Sequence, residues 1–289
     1  MSPIAFVLTQ GLNALALGAL LFFISIGLTL IFGIMRIVNF AHGALCMLGA
    51  YVGFSIAAGT GHYWAALAAT PVAVAGAGLA LEFAALRPLY RREGGAFLLV
   101  TFGLALVIGE AIRLVWGPEP RRLAIPPLLG GSVSLAGEPF PVYRLFLAGF
   151  GLAMVLALWQ FLERTRLGLV IRATAQNAEM VHALGVNVRW VRAGVFALGC
   201  GLAALGGVLA TPLVTAYLGM GVNVIVEAFV IVIIGGMGSF LGSVVGSLLV
   251  GVVQTFGNFY LPDFALAAIY LAMIAVLVWR PRGLFGREE

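Results

Sequence analysis

Apolar positions run almost unbroken along this chain, in blocks near twenty residues long, with polar residues confined to short breaks. The blocks cover 7–34, 44–58, 64–86, 96–116, 143–162, 193–214, 222–237, 240–256 and 264–279. A helix needs about 20 apolar residues to cross a hydrocarbon core of roughly 30 Å. A soluble core can hide one or two such runs, not this series. The blocks do not alternate apolar with polar as the strands of an outer-membrane barrel do. The pattern predicts an all-α, polytopic transmembrane bundle: one domain over 1–289, with about eight spans plus broken or re-entrant pieces at the short second and seventh blocks. The first block is longer than a span requires and is expected to tilt or to begin outside the bilayer. It has no basic leader and is too long for a signal h-region, so it reads as a span.

Two breaks depart from simple loops. Residues 117–142 hold six prolines and read as an irregular extramembrane loop, neither strand nor span. Residues 164–192 are polar yet free of proline. Within them, 173–184 reads as one helix stopped by Gly185, with Ala178, Val181, Leu184 and Gly185 on a small apolar stripe and Gln176, Glu179 and His182 polar. An isolated helix of three turns is marginal in water, so this one is expected to rest on another surface.

Composition sharpens the picture. The chain is 62% hydrophobic and 9% charged, against about 25% charged in an ordinary soluble domain. Its net charge of +5 comes from arginines at block ends, a membrane-topology pattern and no sign of nucleic-acid binding. All sixteen basic residues are arginine. Without lysine there is no Walker A loop and no Schiff-base chemistry. The arginine-rich stretches 87–92, 164–192 and the tail from Arg280 belong in the cytoplasm by the positive-inside rule. Counting crossings from them puts the N-terminus outside, the C-terminus inside and Arg36 at the cytoplasmic face. Arg121 and Arg122 are then discordant, in an external loop. Cys46 and Cys200 read as small buried hydrophobes, with no metal spacing around them.

Candidate chemistry is sparse. Asn39, Phe40, His42 and Gly43 interrupt the apolar pattern between the first two blocks. They form either a broken helix lining a translocation path or a cytoplasmic turn capped by Asn39. Gly235, Gly236 and Gly238 break the seventh block, and Gly238, Gly242 and Gly246 continue at helical spacing suited to close helix packing. The near-match to a dinucleotide loop lacks the strand–helix context. Glu227 is the one acid within a block, either hydrated at the interface or facing an aqueous path. No pair of acids, nor a nucleophile with a base, forms a local catalytic motif, so a transport role fits better than an enzyme.

Four segments, GLTLIFGIMRIVNFAHGALCMLGAY (27–51), RTRLGLVIRATAQNAEMVHALGV (164–186), EAFVIVIIGGMGSFLGSVVG (227–246) and WRPRGLFG (279–286), resemble the permeases of branched-chain amino acid ABC importers, in the same order along nearly the whole chain. The form resembles the smaller of two permease subunits. The resemblance implies a multi-pass protein of the bacterial inner membrane. It would pair with a second related permease, with two cytoplasmic ATP-binding subunits that hold the ATP and magnesium, and with an extracytoplasmic solute-binding protein. It also implies that 173–185 is the coupling helix, with Ala178-Glu179 and Gly185 at the Glu-Ala-Ala…Gly positions, although Met180 and Val181 stand where two alanines are expected. The broken segments would line the path between the permeases. Branched-chain or related hydrophobic amino acids are the implied cargo; urea or short amides are alternatives. A stand-alone secondary transporter or channel is the competing class, and it has no use for 164–192.

Overall fold

The computed structural model describes residues 3–91, 94–135 and 137–286. Its helices follow the apolar blocks: α1 (Pro3–Met35), α2 (Ala41–Thr60), α3 (Tyr63–Leu81), α4 (Gly94–Trp116), α5 (Val142–Arg164), α6 (Arg166–Gln176), α7 (Ala178–Ala183), α8 (Val188–Ala210), α9 (Met220–Gly235), α10 (Phe240–Tyr260) and α11 (Ala265–Trp279). Eight helical stretches are long and apolar enough to cross a membrane, and α9 is a shorter apolar helix. The chain is a polytopic helical bundle.

Three sequence expectations change. The basic stretch from Arg87, which the sequence suggests is a short loop, is helical, because α3 runs on through a π turn (Glu82–Leu86) and a 3-10 turn (Arg87–Arg91); Arg92 and Glu93 lie outside the described residues. Residues 117–142 are not wholly irregular. Ser132–Leu135 (β1) pairs antiparallel with Glu138–Pro141 (β2), a short hairpin in which the prolines at 139 and 141 sit on a strand with a free edge, where their missing N–H is tolerated. The central helix is broken in two at Asn177.

α1 and α8 form the interior, with most of their apolar spans buried, whereas only a minority of each of α3, α4, α5 and α11 is buried. α1 lies along α10 and α3 along α8. Small residues make this possible. A Cβ on Gly199 would sit 2.8 Å from the Gly27 carbonyl, and one on Gly251 2.8 Å from the Ala14 carbonyl. With no hydrophobic drive between helices in lipid, such close approach is what holds them. The hydroxyls of Thr29 and Ser243 join α1 to α10 at 2.5 Å. Cys46 and Cys200 are free and fully buried.

The arginine-rich segments converge at one end. Arg87 lies 5.8 Å from the Trp190 ring, Arg192 lies 5.1 Å from the Tyr90 ring, and Arg36 shares a cleft with Arg192 and Glu179. At the opposite end the Tyr63 and Tyr143 hydroxyls meet at 2.9 Å, and Tyr143 donates to the Leu209 carbonyl at 2.8 Å. The discordant Arg121 and Arg122 lie at this second end and are tied to their own chain. Arg121 bridges to Ala216 and donates to the Trp116 carbonyl at 3.0 Å, and Arg122 donates to the Pro212 carbonyl at 3.4 Å.

Candidate functional site

The segment 39–43 is not a turn in water. Asn39 and His42 are fully buried, and Gly43 is buried with them. His42 Nε2 donates to the Ile24 carbonyl at 2.8 Å, a bond that a carbonyl can only accept. Ile24 lies eleven positions before the end of α1 at Met35. At 1.5 Å per residue, α2 therefore begins roughly 16 Å inside the bundle rather than at its arginine-rich end. The connection from Arg36, whose φ is 51°, re-enters to reach that depth. Asn39 does not occupy the cap position itself, which falls on Phe40; its Oδ1 accepts from the Ala41 N–H at 3.1 Å. Its Nδ2 and His42 Nδ1 are buried with no partner among the described residues.

α9, a shorter apolar helix of 16 residues, starts at the same depth. A Cβ on Gly43 would collide with the Gly221 carbonyl and lie 2.9 Å from Ile225 Cβ; one on Gly221 would lie 3.1 Å from the Gly43 carbonyl group. The two first turns thus touch backbone to backbone. α2 climbs along α8, with Gly49 against Ala204 and Gly53 against Val208. α9 descends beside α1, reaching Gly238 against Gly33. Since α1 and α8 run in opposite directions, so do α2 and α9. The molecule carries two helices, α2 and α9, that start at mid-depth and point apart, with their amino ends in contact. Each follows a similar run, GLTLIFGIM (27–35) and GLAALGGVL (201–209). Paired broken helices of opposite direction are a recurrent arrangement at the midplane sites of transporters.

The glycines of the other segment are engaged by neighbours. Gly235 faces Gly242 of α10, Gly246 faces the Ile231 carbonyl at 2.8 Å, and Gly236, with φ 100°, faces the backbone of Phe285 and Gly286. The Phe40 ring meets Phe102 edge-to-face and Phe229 at a tilt, with centroids 6.4 and 5.4 Å apart. Glu227 is half-buried on α9, close to Gln254 of α10.

At the arginine-rich end, α6 and α7 form a bent pair. Asn177 bends it: its side chain accepts from the Met180 N–H at 2.9 Å, so it starts α7 where the sequence suggested a continuous helix. Asparagine competes for backbone donors in this way. α7 ends in a Schellman closure. Gly185 has φ 87°, its N–H meets the His182 carbonyl at 2.9 Å, and the Val186 N–H meets the Val181 carbonyl at 3.3 Å. The apolar stripe divides. Val181 turns inward and is buried, while Met180 and Leu184 stand 59% and 77% exposed. Glu179 and Ala178 line a cleft of about 330 Å³ with Arg36 and Arg192. Arg172 pairs with Glu163 at 2.5 Å, tying α6 to the end of α5. Among the described residues no group of acids, histidines and cysteines could hold a metal ion.

Residues 11–277 match the model of a family described as "Branched-chain amino acid transport system / permease component". The high-affinity branched-chain amino acid transport system permease protein BraD of Pseudomonas aeruginosa is 31% identical over 313 residues, covering 100% of this chain and 99% of its own length. The corresponding LivH of Escherichia coli is 30% identical, over 98% of this chain and 97% of its own. A probable LivH of Methanocaldococcus jannaschii is 25% identical over 95% and 91%. No solved structure matches the chain.

Proposed function

Because the chain belongs to the branched-chain amino acid transport permease family, we propose that it is one membrane-spanning half of an ATP-driven importer for branched-chain or related hydrophobic amino acids. The single observation that carries this reading is the α6–α7 pair. It is a polar, capped element held at the arginine-rich end of an otherwise apolar bundle, with Met180 and Leu184 turned outward. A transporter that works alone has no use for such an element. In this reading the arginine-rich end is cytoplasmic, the amino terminus is outside, and α7 takes the push of an ATP-binding partner. A second permease completes the path, two cytoplasmic ATP-binding chains hold the nucleotide and magnesium, and an extracytoplasmic binding protein delivers the cargo. The chain itself carries no catalysis.

α2 and α9 supply the moving part. A partner shifts a two-state equilibrium only through its differential affinity for the two states. Closure of the ATP-binding pair favours one position of α7. The Arg172–Glu163 pair and the α6–α1 packing pass that position to the end of α1. There α1 meets Gly238, the end of α9, at the Gly33 backbone. The crossing at Gly43 and Gly221, made of two bare backbones, is where α2 and α9 can change their mutual angle without moving a side chain.

The test is co-expression with neighbouring genes, purification of what assembles, and uptake in vesicles. ATP-binding chains that co-purify, and hydrolysis stimulated by one amino-acid-loaded binding protein, are expected. Substituting Glu179 or Gly185 is expected to abolish ATP-driven uptake while the chain still inserts. Uptake by the lone chain without ATP would overturn the importer reading in favour of a channel or secondary transporter. Stimulation by urea or a short amide would move the cargo.

A further inference from the structure

An α-helix leaves its last four carbonyls without partners. At the end of α9 two of these are taken by the carboxyl-terminal segment. Leu284 N–H donates to the Ile234 carbonyl at 2.8 Å, and Phe285 N–H to the Gly235 carbonyl at 2.9 Å. The fit is backbone against backbone. A Cβ on Gly236 would lie 2.5 Å from the Gly286 nitrogen, and one on Gly283 would lie 2.5 Å from the Gly236 nitrogen and 2.6 Å from the Ile233 carbonyl. Gly283 and Gly236 also hold φ of 81° and 100°, where other L-residues are strained. The Leu284 side chain packs on the cluster containing Ile231, Ile234 and Val250. Residues 282–286 therefore lock onto one end of α9, and the other end of that uninterrupted helix is the crossing with α2.

We propose that residues 282–286 are a positioning strap for α9. The strap holds the end of α9 at the arginine-rich face firm, so that a displacement there is passed along the helix to the crossing with α2 at Gly43 and Gly221. It stays docked throughout transport, and a loosened strap lets ATP be hydrolysed without solute being moved. This rests on the importer reading above, since only a coupled transporter has a ratio of uptake to hydrolysis to lose.

The experiment uses the full complex in vesicles and compares Gly283→Ala with Gly137→Ala, whose φ of 87° is equally left-handed but whose surroundings are open. Gly283→Ala is expected to keep assembly and binding-protein-stimulated hydrolysis, and to lose about fivefold or more in uptake per ATP, the lower end of what coupling between two sites produces. Gly137→Ala is expected to match the parent. In a second arm, Met237→Cys with Phe285→Cys, two exposed positions flanking the contact, are joined by a short thiol cross-linker. The joined protein is expected to transport at the parent's rate. An unchanged ratio in Gly283→Ala, or loss of uptake on cross-linking, overturns the strap. If Gly283→Ala does not assemble, the cross-linked protein alone decides. Failure of the importer reading looks different: the unmodified complex then shows no ATP-dependent uptake, although the cross-link still forms.

Discussion

Gly43 and Gly221 are the two residues on which the mid-depth crossing depends; Gly43 has no room for a methyl group, and one on Gly221 would be tightly packed, 3.1 Å from the Gly43 carbonyl group. Adding atoms to a filled contact costs about 1–3 kcal/mol. Gly43→Val is therefore expected to lower the thermal midpoint of the purified chain in detergent and to stop transport, whereas Gly59→Ala, sixteen residues further along α2 in open space, leaves both intact. Single residues were unevenly legible in the sequence. The stop at Gly185 could be read directly, because a glycine closing a proline-free polar helix has one common geometry. The burial of Asn39 and His42 could not. An Asn and a His between two apolar blocks fit a hydrated turn as well as a buried one, and only the approach of Ile24 and Gly221 from distant parts of the chain decides between them.

At the scale of the element, Asn177 splits the polar module. Losing a cap of this kind costs about 1 kcal/mol, enough to matter for a helix of six residues. Asn177→Ala is expected to reduce ATP-driven uptake roughly fivefold, since one to two kcal/mol shifts a folding equilibrium by 5–30-fold. Asn177→Asp, which keeps an acceptor, is expected to restore it; equal uptake by both variants would argue that the bend is unimportant. The spans themselves were plain from apolar run length, to within a few residues. What run length does not reveal is depth. α2 has twenty residues, enough for a complete crossing, yet it starts beside the middle of α1. The hairpin of β1 and β2 was hidden for another reason: its strands have four residues each and β2 holds two prolines, so local pattern argued for a loop.

For the molecule as a whole, the arginine distribution anticipated the arrangement of ends. The stretches at 87–91, 164–192 and 280–282 meet at one face, and the two arginines that broke the pattern are held by carbonyls of their own chain at the other. A labelling experiment assigns these faces to sides of the membrane. Leu184 and Leu128 are 77% and 78% exposed at opposite ends. With a thiol reagent that does not cross membranes, Leu184→Cys is expected to react only in inverted vesicles and Leu128→Cys only in right-side-out ones. The reverse result would invert the topology and remove α7 from the reach of any cytoplasmic ATP-binding chain.

The Thr29–Ser243 contact also has a meaning for synthesis. Its two hydroxyls are 214 residues apart in the chain. Ribosomes add about 5–20 residues per second, so Thr29 is in the membrane for roughly ten to forty seconds before its partner exists. A helix of the buried interior is thus made before its partners, and it waits in lipid for α8 and α10. It is fit to wait. α1 carries no charge, and Thr29 meanwhile donates to the Ser25 carbonyl of its own helix at 3.0 Å. The nascent helix brings its own hydrogen-bond partner, and assembly consists of adding a second one.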